Sequence, residues 1–168
     1  LLTRVAKVIA AVADPIVIVA APEQSLPSLP SGCVVVEDHY PREGPLGGLV
    51  TGIGHLAERD GYTFVCGCDY PFLTEGFLRA LLNKADGEDV VSVAAERKQP
   101  LGAWYRTGAL AGAESLFAEG ERRLTAFYDG LRSREVKGAE LKGQDLDRVT
   151  MSINSPEELE VAKRLAGI

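Results

Sequence analysis

"CVVVEDHYPREGPLGGL", residues 33–49, changes its structural character partway along. Val34-Val35-Val36 is a β-branched run, the body of a short strand over 33–38. It ends on two acids, Glu37 and Asp38. A turn-rich stretch then leads through Gly44-Pro45-Leu46-Gly47-Gly48 into a segment where Leu49, Ile53 and Leu56 fall on one helical face, within "GPLGGLVTGIGHLAERDG" (44–61). A strand, a glycine-rich turn and an amphipathic helix, in that order, open a βαβ unit.

The same alternation extends outward. Upstream, Leu1, Val5, Val8, Ile9 and Val12 recur at helical spacing over residues 1–13, and Pro15 separates them from the apolar run "IVIVA" (16–20). "APEQSLPSLPSG" is a Pro/Ser loop. Downstream, residues 62–67 read as a third strand. Thr74 is an N-cap for a helix that turns Phe77, Leu78, Leu81 and Leu82 inward. Strands are predicted at 89–95 and 101–106, helices at 108–119 and 121–132, and a strand near 147–153. Ser155 and Glu158 make a capping box for a final helix, with Pro156 at its first position. Strands alternating with helices imply right-handed crossovers and a mostly parallel sheet, hence one α/β domain over 1–168.

Bulk properties narrow the function. The chain has 168 residues, 46% hydrophobic and 25% charged, with a net charge of −6. That balance suits a soluble globular domain and argues against a general nucleic-acid binder. Three cysteines form no disulfide scaffold and point to a reducing cytoplasm. No run approaches the roughly 18 apolar residues of a membrane span. The chain opens inside a helix without an initiator Met, and an N-terminal segment is expected to be missing.

"CGCDYPF" (66–72) follows directly on the third strand. Cys33, Cys66 and Cys68 with His39 or His55 could on paper supply a Cys₃His site, but the usual zinc spacings are absent, and the cysteines read as packing residues. Asp69 reads differently. Ligands of open parallel sheets gather at the carboxyl ends of strands, and a carboxylate there suits Mg²⁺. The alternative is that Asp69 merely caps the turn before Pro71. Asp38 ends the preceding strand in the same way, followed by a glycine-rich helix start that lets backbone N–H groups approach a base or phosphate.

Taken together, "VVVED", "GPLGGL" (44–49), "CDYPF" (68–72), "QPLGAWYR" (99–106) and "INSPEEL" (153–159) resemble the molybdenum cofactor guanylyltransferases, within the larger nucleotidyltransferase group. The resemblance runs across nearly the whole chain. It implies a three-layer α/β/α, Rossmann-like fold and Mg²⁺-dependent transfer of GMP from GTP to the terminal phosphate of molybdopterin. Asp69 would carry Mg²⁺ and Asp38 would contact the nucleotide. Gly44, Pro45, Leu46 and Gly47 would line the base pocket, Asn154 would be a second metal ligand, and Gln99 and Pro100 would face the pterin. The family's N-terminal "LAGG-x-S-x-R-MG-x-DK" loop is absent. A related cytidylyl- or adenylyltransferase, acting on a cofactor or sugar phosphate, and a non-catalytic module of the same fold are the alternatives. A transient contact with cofactor-handling proteins or molybdoenzymes would suit a labile product.

Arg122 and Arg123 are candidates for the substrate side, although a solvated helix face is the commoner reading of a basic pair. Trp104 reads as core, with ring stacking on a ligand as the alternative. His39 is an exposed loop histidine.

Overall fold

The computed structural model describes residues 1–56 and 60–166, and among them six strands form two sheets. β1 (Ile16–Ala20) and β2 (Cys33–Glu37) pair in parallel, Ile16 opposite Cys33 and Ala20 opposite Glu37. β3 (Tyr62–Val65), β4 (Val90–Val93), β5 (Ala103–Arg106) and β6 (Ser133–Val136) form the second sheet in the order β3-β5-β4-β6. β5 is antiparallel to both β3 and β4, and β6 is parallel to β4, so β5 alone is reversed in that sheet.

Successive strand residues face opposite sides, and that alternation builds the layers. Val91, Trp104 and Val136 meet Phe77, Leu78 and Leu81 of α3 (Glu75–Leu82), with Val5 of α1 (Leu2–Ala10). Val90, Ala103 and Tyr105 point the other way. They pack on α2 (Gly44–Ile53), α4 (Gly112–Ala118) and α5 (Leu124–Asp129) through Leu46, Ile53, Phe117, Phe127 and Tyr128. The fold is α/β, with the four-stranded sheet between two helical layers. Trp104 sits in the core, 1% exposed, against Phe64 at 5.1 Å between centroids.

The local signals hold where capping chemistry sets them. Thr74 Oγ1 accepts from the Phe77 N–H at 3.1 Å. Ser155 and Glu158 cap reciprocally at the start of α7 (Pro156–Ala166). The strand expected near 147–153 is not there. Leu146–Val149 forms a short helix, α6, capped by Asp145, and an irregular run follows it. The strand that does close the sheet, β6, was not legible: "SREV" places only Val136 in the core, so it carries no apolar alternation. The predicted helix over 108–119 is divided into a 3₁₀ turn, Thr107–Ala111, and α4, and α5 covers only part of 121–132. The part of the predicted helix after Gly44 that falls on 57–59 lies outside the described residues.

Asp89, entering β4, holds that edge together. It accepts from Arg106 Nη2 at 2.6 Å and from Arg132 Nε at 3.2 Å. Arg132 above all, then Arg106, holds its carboxyl down to about 2, from an ordinary 3.8. A lowered folded-state pKa stabilises above the unfolded value and loses that contribution as pH falls. Asp89→Asn is therefore expected to cost about 1–2 kcal/mol at neutral pH. The difference from the parent should shrink below about pH 4 and be lost only below about pH 2, where the folded-state carboxyl is protonated as well. Urea unfolding of both proteins across that range checks it, and a pH-independent gap would contradict it.

Candidate active site

The two strand-end aspartates differ in state. Asp38, one residue past β2, is committed to the backbone around it. Its Oδ1 accepts from the Tyr40 N–H at 2.9 Å and from the Thr51 hydroxyl at 3.3 Å. Thr51 is buried on α2. Its hydroxyl also lies 3.2 Å from the Gly47 carbonyl and accepts from the His39 N–H at 3.2 Å. Asp38 thus pins the loop after β2 to the glycine-rich helix. Thr51 was not singled out by sequence, and its one signal is a hydroxyl in the otherwise apolar "GLVTGI".

Asp69 is half-buried, and among the described residues its carboxylate has no hydrogen-bond or ion-pair partner. Its seat is Gly67: a Cβ there would collide with Asp69 Oδ1. The glycine between the two cysteines is therefore a steric requirement of the carboxylate's position, a role with no signal in the local pattern of residues. The loop beyond is tethered by Arg4, whose Nε donates to the Pro71 carbonyl at 2.5 Å. Asn154 is brought alongside by the chain itself, since the Ile153 N–H donates to the Asp69 carbonyl at 2.9 Å. The Asn154 side chain donates to the Ser152 hydroxyl at 3.0 Å, which leaves its amide oxygen available.

Burial first, then the Asp69 charge and Cys68, pushes the Cys66 thiol up to about 12. A buried, protonated thiol of this kind is a packing group and not a nucleophile. Burial and Asp69 push the Tyr70 phenol up to about 12 as well. Among the described residues, no group of three or more His, Cys, Asp and Glu gathers to hold a metal. The Asp69 carboxylate and the Asn154 amide oxygen, both without a hydrogen bond among the described residues, are hard-oxygen groups that could serve a cation. That suits Mg²⁺, which takes one or two carboxylates and completes its shell with water and phosphate.

The glycine-rich helix start is braced from outside the sheet. Gly44 has φ +80°, and a Cβ would press on the Arg122 carbonyl at 3.2 Å. Arg122 pairs with Glu43, donates to the Phe117 carbonyl at 3.0 Å, and lies 4.1 Å from the Phe117 ring centroid. Arg123 is exposed and pairs with Glu121 at 2.8 Å. Pro45 and Gly48 share a cleft with Cys66, Gly67 and Cys68, whereas Leu46 is fully buried beneath. Gln99 lines a small cavity with Tyr70 and Gly102, and the Pro100 carbonyl accepts from the Tyr105 hydroxyl at 2.6 Å. Trp104 is buried and donates through Nε1 to the Leu78 carbonyl at 3.0 Å.

Residues 1–136 match the MobA-like NTP transferase domain family. A molybdenum cofactor guanylyltransferase of Desulfosudis oleivorans is 30% identical over 166 residues, covering 97% of this chain and 80% of that protein. A "probable molybdenum cofactor guanylyltransferase" of Mycobacterium tuberculosis is 36% identical over 118 residues, 68% of this chain and 58% of the relative. The chain thus spans under two thirds of the mycobacterial protein. Two solved structures share the fold. Molybdopterin-guanine dinucleotide biosynthesis protein A of Archaeoglobus fulgidus aligns with a TM-score of 0.66 at 21% identity, over 79% of this chain and 68% of its own. A protein of Aquifex aeolicus aligns at 0.71 and 22% identity, over 92% and 78%.

Proposed function

Because the chain belongs to the MobA-like NTP transferase family, a nucleotidyltransferase family, we propose that it serves the Mg²⁺-dependent transfer of GMP from GTP to molybdopterin. An oxygen of the terminal molybdopterin phosphate attacks the α-phosphorus of GTP. The bond from that phosphorus to the bridging oxygen breaks, and pyrophosphate leaves. The observation that carries this reading is the uncommitted Asp69 carboxylate, seated on Gly67 beside Asn154 at the end of β3.

Asp69 and Asn154 are the residues that would hold Mg²⁺. The bound ion supplies neutralisation of phosphate charge. Transfer between two anionic phosphates depends mainly on positioning and needs no protein nucleophile. Gly44, Pro45 and Gly47 form the base side, with fully buried Leu46 anchoring them from beneath, all held in place by Asp38 through Thr51. Gln99 and Pro100 form the pterin side. To reach a phosphate, Arg122 would have to release Glu43 and Arg123 would have to release Glu121, with Arg123 the more exposed of the two. A reducing cytoplasm and a passing contact with molybdoenzyme or cofactor-handling proteins go with these substrates. Among the described residues, no helix is long and apolar enough to cross a membrane.

Calorimetric titration with GTP, CTP and ATP, with and without Mg²⁺, tests the reading. Mg²⁺-dependent preference for GTP is expected. Preference for CTP or ATP would move the protein to a sister activity, and failure of all three would leave a non-catalytic module. Gly67→Ala is expected to keep the fold but push the carboxylate off its seat. An error of about 1 Å at a reacting centre costs about 10²-fold, so kcat should fall by that order. Unchanged kcat in a folded Gly67→Ala protein would detach Asp69 from the chemistry.

A further inference from the structure

Tyr70 follows Asp69 directly, yet the mechanism leaves its hydroxyl unused. The residue is 7% exposed, and among the described residues its hydroxyl makes no hydrogen bond. No fully buried side-chain oxygen among those residues lacks a partner, so the Tyr70 hydroxyl is reached from open space. That space is a cavity of about 10 Å³, room for one water-sized group. Gly102, with φ +76°, forms part of its wall. A Cβ there would meet the phenol end of the Tyr70 ring, Cζ and Oη both at 3.5 Å. Leu73 and Val149 close the cavity with buried side chains, whereas Gln99 is exposed and forms its mouth.

Among the described residues, no Lys, Arg, His, Asp or Glu lines this cavity, so it suits a neutral group and not a phosphate. The phenol both donates and accepts, as does the Gln99 amide. The Thr150 hydroxyl donates to the Leu146 carbonyl at 2.7 Å, which leaves it as an acceptor. Such a set matches the amide-like edge of an oxo-heterocycle, whose carbonyl accepts and whose ring N–H donates. We propose that Tyr70 is a specificity-determining residue for the acceptor substrate, donating its phenolic hydrogen to the carbonyl edge of the pterin ring. This rests on the reading that Gln99 and Pro100 form the pterin side. Guanine carries the same edge, but Pro45 of the base side lines the cleft between the sheets and not this cavity. The place suits an acceptor. Tyr70 adjoins Asp69, and three residues past Thr150 the Ile153 N–H bonds the Asp69 carbonyl. A ring edge seated here is gripped by the two segments that carry Asp69 and Asn154. Because the hydroxyl has no partner among the described residues, its hydrogen bond forms only with ligand, and losing it costs recognition and not folding.

Tyr70→Phe tests this, since it keeps the ring packed with Val5 and Leu73 and removes only the hydroxyl. KM for molybdopterin should rise about 10-fold, the size of one hydrogen bond lost to a bound ligand. KM for GTP should stay within about twofold of the parent's, and the melting temperature within about 2 °C. A lower melting temperature with both KM values in place would mean that the hydroxyl serves the fold, and that overturns the proposal. A rise confined to GTP assigns the hydroxyl to the nucleotide and overturns it as well. A parent that binds GTP with Mg²⁺ but transfers no GMP to molybdopterin removes the acceptor reading and this proposal together. A parent that does transfer it, matched by Tyr70→Phe in every constant, removes the role of Tyr70 alone.

Discussion

Replacing Asp69 with Asn is expected to cut guanylyl transfer by about 10³-fold, about 4 kcal/mol of transition-state stabilisation. The protein should melt within about 2 °C of the parent. The two halves of that expectation come from the same geometry. The carboxylate rests over Gly67, and among the described residues it makes no hydrogen bond or ion pair, so little of the fold depends on its charge. Asn keeps its shape and its place above the glycine but loses the anionic oxygen that a hard divalent cation prefers. Steady-state kinetics at saturating Mg²⁺, with melting curves alongside, read both halves. A near-normal kcat would remove Asp69 from metal binding and leave the carboxylate as a turn feature. A large drop in melting temperature would mean that it supports the loop from Cys66 to Pro71. Asp38→Asn should behave differently, because Asp38 accepts from Tyr40 and Thr51. Its loss loosens the start of α2, and KM should rise more than kcat falls.

The largest effect on stability is expected at Trp104. Its ring is 1% exposed, packs on Phe64, and reaches through Nε1 to the Leu78 carbonyl on α3. Trp104→Ala leaves a cavity between the sheet and that helix and is expected to cost about 3–5 kcal/mol. Domains of this kind hold about 5–15 kcal/mol in all, so the variant stands near the edge of folding at 37 °C. Trp104→Phe separates the contributions. It keeps most of the packing and loses only the hydrogen bond, for about 1–2 kcal/mol. Urea unfolding of the three proteins gives both differences. A cost below about 1 kcal/mol for the alanine variant would mean that α3 does not rest on β5 as described.

Several features were legible in the sequence because they arise within a few residues of one another. The β-branched runs at 16–20 and 33–37, the Thr74 cap and the Ser155–Glu158 box depend on local sterics and nearby backbone donors, and each forms where the residues predicted it. The two strand-end aspartates were legible for the same reason, since a carboxylate just past an apolar strand is a local pattern. The final strand was misplaced because "SREV" has a single core residue. Its pairing with β4 comes from residues more than 40 positions away.

The α/β class, the helix caps and the positions of Asp38 and Asp69 follow from short-range periodicity and backbone chemistry, and so are legible in the chain alone. That Asp38 is bound to Thr51 while Asp69 has no partner among the described residues, that Gly67 is the seat of the carboxylate, and that Arg122 is paired with Glu43 are products of the folded arrangement. The facing of β1 and β3 across an open cleft is another. Those outcomes depend on which distant segments arrive beside one another, and burial of the two apolar helix layers against the sheet brings them there.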